Sequence, residues 1–499
     1  MYSLYTDRRL KSHSRFHPLN KLQWLSASRC PVNVLEFFRE RALRNLVLLS
    51  LSTLVFGMQG ASVSARETPT YLGLPQTAQP QQPQAIASTR AGHRQEQLRQ
   101  VQPEYYDLSR YPVTDSNESR WRNLLWTTAV VEPQEAYVAD ALNGILALTQ
   151  RSGLSPSQKR TVDMAMQVGS QLYFNAPAAY ASLKPQFLQT IERSSNSKWV
   201  AIALSALVKG QISVQEQQQL MARIRTRFPN WSQDVVLRTT LQDVTESLAP
   251  PPVPPLRDLL NWTITPGQLQ LYVICDRSRQ VLCRAVLKDR DGKFVQNGET
   301  AQLWSVPLLL RSIHDLSWNF VRGETPQGVY RIEGTKPPDS KFFRAYGRFP
   351  LVKLFVPFET GASEFLPGQK GPFTGSLEDY QALLPPSWRA YFPTQQSYWA
   401  GRIGRGLFRI HGTGEPPDYF SSQNRNPDSY NWNPTIGCLS ALELYDEAGA
   451  LQQADMPKLL NALIAAGGKD FTGYLIVVEM PNLSNSPISL EQIEAAMHR

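Results

Sequence analysis

A run of prolines divides this chain. "LAPPPVPPLRDLL", Leu248 to Leu260, cannot continue a helix or enter the middle of a sheet. Proline has no N–H to donate and fixes its own φ. The run reads as a stiff connector, and the sequence changes period across it. Before it, "EAYVADALNGILALTQRSG", "SQKRTVDMAMQVGSQLYFN", "SKWVAIALSALVKGQ" and "SQDVVLRTTLQDVTESL" place apolar residues at i, i+3, i+4 and i+7. After it, "LQLYVICD", "QVLCRAVLKD", "GVYRIEGT", "LFRIHGT" and "YLIVVEM" are β-branched and aromatic runs bounded by Gly, Pro and Asp. Two helical patterns interrupt them, "LLLRSIHDLSWNFV" and "DMPKLLNALIAAGG". At 499 residues the chain is too long for one ordinary domain. The expected fold is therefore multidomain: an all-α region over 106–248, a Pro-rich linker at 249–257, and a mainly-β domain with a few helices over 258–499.

"SSNSKWVAIALSALVKG" and "FPNWSQDVVLRTTLQDV" share a polar start, an aromatic residue and an amphipathic helix. That shape points to HEAT-like helical pairs. No catalytic constellation appears in 106–248, so this region reads as a spacer or as the surface for a protein partner.

The formal net charge is +9, and it is unevenly placed. Residues 1–65 carry nine Lys or Arg against three Asp or Glu, which leaves about +3 for the rest. The scattered arginines form no recognition code for nucleic acid. Arg39, Arg41 and Arg44 precede "LVLLSLSTLVFGM", Leu46 to Met58, and small residues ending in "VSA" follow. The apolar run has 13 residues, fewer than the roughly 20 a bilayer takes. Residues 1–65 thus read as an export signal, or as a membrane anchor if 46–65 stays uncleaved. Residues 66–105 are rich in Gln, Pro and Ala and read as a flexible linker.

Of four cysteines, Cys30 lies in the leader. Cys275 and Cys283 flank "DRSRQVL", a hairpin-turn pattern, and can pair in an oxidising compartment if they oppose each other. Register is not readable at this level. Cys438 is left over. It closes a polar, Pro- and Asn-rich stretch that begins after His411, and it opens toward "LSALELYDEAG", which reads as a helix. A nucleophilic cysteine needs a lowered pKa, which a nearby histidine or a helix N-terminus can supply. Gly437 before it permits a tight turn whose N–H groups converge, as an oxyanion hole requires. Zinc wants three or four ligands, and no other Cys or His lies near in sequence, so no metal or cofactor is expected.

Three short motifs occur in order: "ETPQGVYRI" (Glu324 to Ile332), "IHGT" (Ile410 to Thr413) and "TIGCLS" (Thr435 to Ser440). Together they resemble the signatures of the L,D-transpeptidase (YkuD-like) catalytic domain, over roughly residues 265–482. The resemblance implies a β-rich fold with its active site at the mouth of a sheet, in an exported protein of the periplasm or cell wall. It implies peptidoglycan stem peptides as partners, a donor tetrapeptide and an amine acceptor. Cys438 would attack the carbonyl of the third stem residue and release the terminal D-alanine, with His411 taking and returning the proton. A backbone carbonyl, from Gly412 or its neighbours, would orient the histidine. Thr435, Ile436, Gly437 and Cys438 would line the oxyanion region, with the Gly437 and Cys438 amides foremost, and Gly412, Thr413 and Ser440 would flank substrate. The family often carries Arg or Asn where this chain has Ser440, which leaves open how substrate is held. Water in place of the amine would make the same scaffold a stem-peptide hydrolase. A non-catalytic wall-binding module is a third possibility.

Two insertions stand out against that pattern. "EPPDYFSSQNRNPDSYNW", within 415–434, is either a lid or sugar platform over the site, or a loop packed by its own aromatics. Residues 355–400 form the other, with no assignable role. "GRIGRG", Gly401 to Gly406, lacks the strand-then-helix context of a phosphate loop.

Overall fold

The computed structural model describes residues 82–298, 302–421, 425–481 and 486–498. The expected leader or anchor, 1–65, and the first part of the expected linker, 66–81, lie outside the described residues. The remainder of that linker is ordered differently from its composition's suggestion. Residues Ala87–Gln100 form helix α1. Gln, Arg, Glu and Ala are good helix formers, and tertiary contacts fix the helix. Arg90 donates to the Asp446 carbonyl at 2.9 Å, and Arg94 to that of Tyr419 at 3.1 Å.

Helices α2 (Glu118–Val131), α3 (Ala136–Leu146), α4 (Pro156–Asn175), α5 (Leu183–Arg193), α6 (Ser197–Lys209), α7 (Val214–Arg227) and α8 (Val235–Leu248) follow, then the short α9 (Leu256–Asn261). Their starts are written in the sequence. Ser155 with Gln158, and Ser213 with Glu216, form reciprocal capping boxes, while Asn196 and Asp234 cap α6 and α8. Helices α2, α4, α6 and α8 pack side by side, and α3 and α5 lie against them. Trp121, Leu142, Phe187, Ile202 and Leu241 fill the core between them.

The C-terminal part is a mixed sheet of β1 (Leu269–Asp276), β2 (Cys283–Lys288), β3 (Ser305–Leu308), β4 (Gly328–Lys336), β5 (Leu351–Phe355), β6 (Arg409–His411), β7 (Leu439–Ser440) and β10 (Thr472–Met480). A separate hairpin pairs β8 (Glu443–Tyr445) with β9 (Leu451–Ala454). The order is β3-β2-β1-β10-β4-β5-β6-β7, parallel at β1–β10 and β6–β7 and antiparallel elsewhere. The edges meet: Leu309 and Ser440 exchange both backbone hydrogen bonds at 2.9 Å, which draws the sheet nearly into a barrel. Side chains alternate between two cores. Leu271, Val273, Ile332, Ile410, Leu439 and Ala441 meet the helix Met456–Gly467 on one face. Tyr272, Ile274 and Val329 meet an aromatic layer on the other, built from Phe365, Phe373, Tyr380 and Trp388 of the 355–400 insertion. The register Ile274↔Arg284 sets Cys275 opposite Cys283, and the two form a disulfide.

Two expected helices are absent. "LLLRSIHDLSWNFV" is β3's last residue, two bridges and turns, because its apolar residues serve different cores. Leu308 and Leu310 face the sheet core, whereas Leu316 and Phe320 are inserted among the helices. "LSALELYDEAG" contributes β7, β8 and a turn, with Leu439 and Ala441 alternating into the sheet core. The helical region and the sheet belong to one compact unit.

Candidate active site

Strands β6 and β7 run side by side with Ile410 opposite Leu439 and His411 opposite Ser440. Ile410, Leu439 and Ala441 take the sheet core. By the two-residue period of a strand, His411, Ser440 and Cys438 fall on the opposite face. Cys438 then sits diagonally across from His411, about 8 Å between Cα atoms at ordinary strand spacings. The sequence separates these residues by a long insertion, and the register sets them on neighbouring strands.

The histidine is held by its own strand end. His411 Nδ1 lies 2.7 Å from the Gly412 carbonyl. A carbonyl only accepts, so Nδ1 carries the hydrogen and Nε2 presents a lone pair when the ring is neutral. Burial pushes the imidazole down to about 4, so it is neutral at pH 7. Tyr346 packs edge-on against it, with ring centroids 4.9 Å apart.

The turn before the cysteine is braced from three sides. Thr435 Oγ1 donates to the Cys438 carbonyl at 2.7 Å and receives the Gly437 N–H at 3.2 Å. The Gly437 amide, expected first in an oxyanion hole, is therefore already engaged within the turn. Thr325 of the Thr-Pro motif donates to the Gly437 carbonyl at 2.9 Å. Gly437 has φ +123, and a Cβ there would lie 2.5 Å from Arg405 Nη2, so only glycine fits. The segment 309–313 runs along the turn: Ile313 N–H donates to the Thr435 carbonyl at 2.7 Å, and Thr435 N–H to that of Arg311 at 3.1 Å.

Cys438 is 9% exposed and lies outside the disulfide. Its Sγ is 3.8 Å from the Leu407 carbonyl. No helix starts behind it; β7 does. The helix dipole anticipated from the sequence is therefore not a source of thiol activation. Ser440 is fully buried, and its hydroxyl has no hydrogen-bond partner among the described residues. Ile436 is half-buried at the rim. Thr413 receives the Asn433 amide at 2.6 Å, which ties together the two ends of the 415–434 insertion.

No family model matches this sequence, and no match was found among curated proteins or among solved structures.

The 415–434 insertion is clamped both to the helical region and to the C-terminal part. Ser421 N–H donates to the Val130 carbonyl at 2.9 Å, Arg94 holds Tyr419, and Arg344 pairs with Glu415. Inside the loop, Arg425 donates to the Pro417 and Trp432 carbonyls at 2.6 and 2.9 Å. Its aromatic residues thus serve loop packing as well as docking.

Two residues beside the site escaped sequence reasoning. Glu443 reads as the surface of a helix that does not form. It is buried, receives the Arg348 N–H at 2.8 Å and the Tyr445 hydroxyl, and presses on the Gly412 peptide, where a Cβ would overlap its Oε2. Burial pushes its carboxyl up to about 8. Arg405 belongs to "GRIGRG", where the glycines drew attention and the arginine did not.

Proposed function

We propose that this chain is an exported cysteine L,D-transpeptidase that acts on peptidoglycan stem peptides. The observation that carries the reading is the register of β6 and β7, which sets a neutral, Nε2-accepting His411 diagonally across from the Cys438 thiol. The three motifs that resemble the family also converge, since Thr325 bonds the turn that carries Cys438. A disulfide in the sheet core suits a protein that folds in an oxidising compartment.

In this reading Cys438 Sγ attacks the carbonyl carbon of the third stem residue. His411 Nε2 takes the thiol proton and delivers it to the departing D-alanine nitrogen as the C–N bond breaks. The thioester then passes to an acceptor amine, or to water in the hydrolytic variant, and the Sγ–C bond breaks. The clamped insertion forms one wall of the site, and the helical region holds that wall in place. The outward side of the helical stack is the surface offered to a protein partner.

The test is a mass spectrum of the purified full-length protein after incubation with stem tetrapeptide. The expected result is an adduct of the tripeptide acyl group on Cys438, with free D-alanine released, and neither in Cys438→Ser. A wild-type protein that yields no adduct and no D-alanine overturns the reading.

A further inference from the structure

We propose that the Arg405 guanidinium, buried beneath the cysteine turn, is the cation that stabilises the thiolate of Cys438 as His411 Nε2 takes the thiol proton, which the histidine later returns to the leaving amine. The proposal rests on the reading of Cys438 as a nucleophile.

Three observations place this cation. The first is position. Arg405 Nη2 packs against Gly437, the residue that precedes the thiol. Arg405 also lies two residues before Leu407, whose carbonyl receives the thiol. The second is what the guanidinium is bound to. It donates to the carbonyls of Trp318, Gly323 (2.9 Å) and Glu324 (2.8 Å), all neutral acceptors. Among the described residues no carboxylate stands within ion-pair distance of it. Arg405 is 7% exposed. A buried cation without a bonded anion is costly, and a thiolate at Cys438 would supply the missing charge. Burial lowers the guanidinium only to about 10, so it stays charged at neutral pH.

The third observation is elimination. The groups whose charges act on Arg405 are Tyr330 of β4, Cys438 and Glu324. Glu324 is turned toward Lys209, with which it pairs at 3.8 Å. Burial pushes the Tyr330 phenol far up and keeps it neutral. Beyond Tyr330 stand Tyr380, also held neutral by burial, and Arg279, which pairs with Glu479 at 2.6 Å. His411 is uncharged at neutral pH and faces Arg409. Among the described residues no helix starts behind Cys438. Glu324 is thus committed to Lys209, and Cys438 is the remaining member of this set that can place a negative charge against Arg405 near pH 7.

Arg405 acts here through electrostatics on another residue, so the decisive readout is a pH profile. The rate of iodoacetamide addition to Cys438 is measured against pH in the full-length wild type, His411→Ala and Arg405→Gln. The wild-type midpoint should fall below the free-thiol value of about 8.5. His411→Ala should keep that low midpoint. Arg405→Gln should raise it by about one pH unit or more, a roughly tenfold slower addition at pH 7. A His411→Ala midpoint that returns to the free-thiol value assigns the thiolate to histidine and overturns the proposal, and this arm leaves Arg405 untouched, so it decides even if Arg405→Gln does not fold. A folded Arg405→Gln with the wild-type midpoint overturns it as well. Iodoacetamide needs no stem peptide. A low midpoint without a stem-peptide adduct would therefore discard the transpeptidase reading and retain Arg405's role.

Discussion

Thr325 donates its hydroxyl to the carbonyl of Gly437 at 2.9 Å, in a buried position. The bond explains why a Thr-Pro motif and a Gly-Cys motif so distant in sequence belong together: one supplies the donor that the strained turn of the other needs. Thr325→Val keeps the shape and removes the donor. The Gly437 carbonyl is then left buried and unsatisfied, which should cost about 1–3 kcal/mol. Thermal denaturation should show the loss, and alkylation of Cys438 should slow as the turn loosens. An unchanged melting temperature with unchanged alkylation would show that the bond contributes nothing.

Stability against pH should carry two opposed signatures. Glu443 is raised to about 8 in the fold against an ordinary value of 4.5. Its contribution is therefore fully present below pH 4.5 and is lost as pH rises through 8. His411 is lowered to about 4 from 6.5, so the unfolded chain binds the extra proton between those values, and stability falls as pH drops from 6.5 toward 4. Glu443→Gln mimics the neutral carboxyl. Its melting temperature should exceed the wild type's at pH 8–9 and approach it near pH 5. A constant difference across that range would mean that Glu443 does not titrate in the fold.

The helical region should be required for a reactive thiol. Phe320 and Leu316 are buried among the helices, Asn319 donates to Thr239 and Thr240 at 3.1 and 2.7 Å, and His314 bonds Gln171 at 2.7 Å. The same segment aligns the cysteine turn through residues 311–313 and offers its carbonyls to Arg405. Phe320→Ala should cost about 3–5 kcal/mol and slow Cys438 alkylation well below the melting transition. Leu142→Ala, which cuts the same core on α3, should cost about 2–5 kcal/mol and leave alkylation unchanged. Equal alkylation in both variants would separate the helices from the site. Cleavage at the proline connector should likewise fail to release a folded 258–499.

Much of the frame was legible. The five quoted strand runs all contribute strands, and "DMPKLLNALIAAGG" is a helix, because in each a single period serves a single core. His411 and Cys438 were legible as a pair of residue types, and the sheet register supplies their proximity. The failures share a cause. In "LLLRSIHDLSWNFV" the apolar residues mimic a helical stripe while they feed two separate cores. Arg405, between two glycines, and Glu443, between two leucines of an apparent helix, are charged residues that sequence reasoning assigns to the surface. Only the assembled tertiary structure buries them, and burial is what gives each its electrostatic character. The Gly437 amide was misjudged for a more local reason: Thr435, two residues earlier, is in reach to occupy it.

The seam between Leu309 and Ser440 joins positions some 130 residues apart in the chain, and such closures are entropically costly until most of the structure exists. The strand it secures has two residues and cannot persist alone. The turn that carries Cys438 is therefore assembled late, after the helices have received Phe320 and the sheet has its other strands. On the proposed reading of Cys438, a nascent or partly unfolded chain holds an ordinary thiol, and nucleophilic character emerges only with completion of the fold. On that reading, maturation itself guards the cysteine from stray acyl donors until the fold is complete.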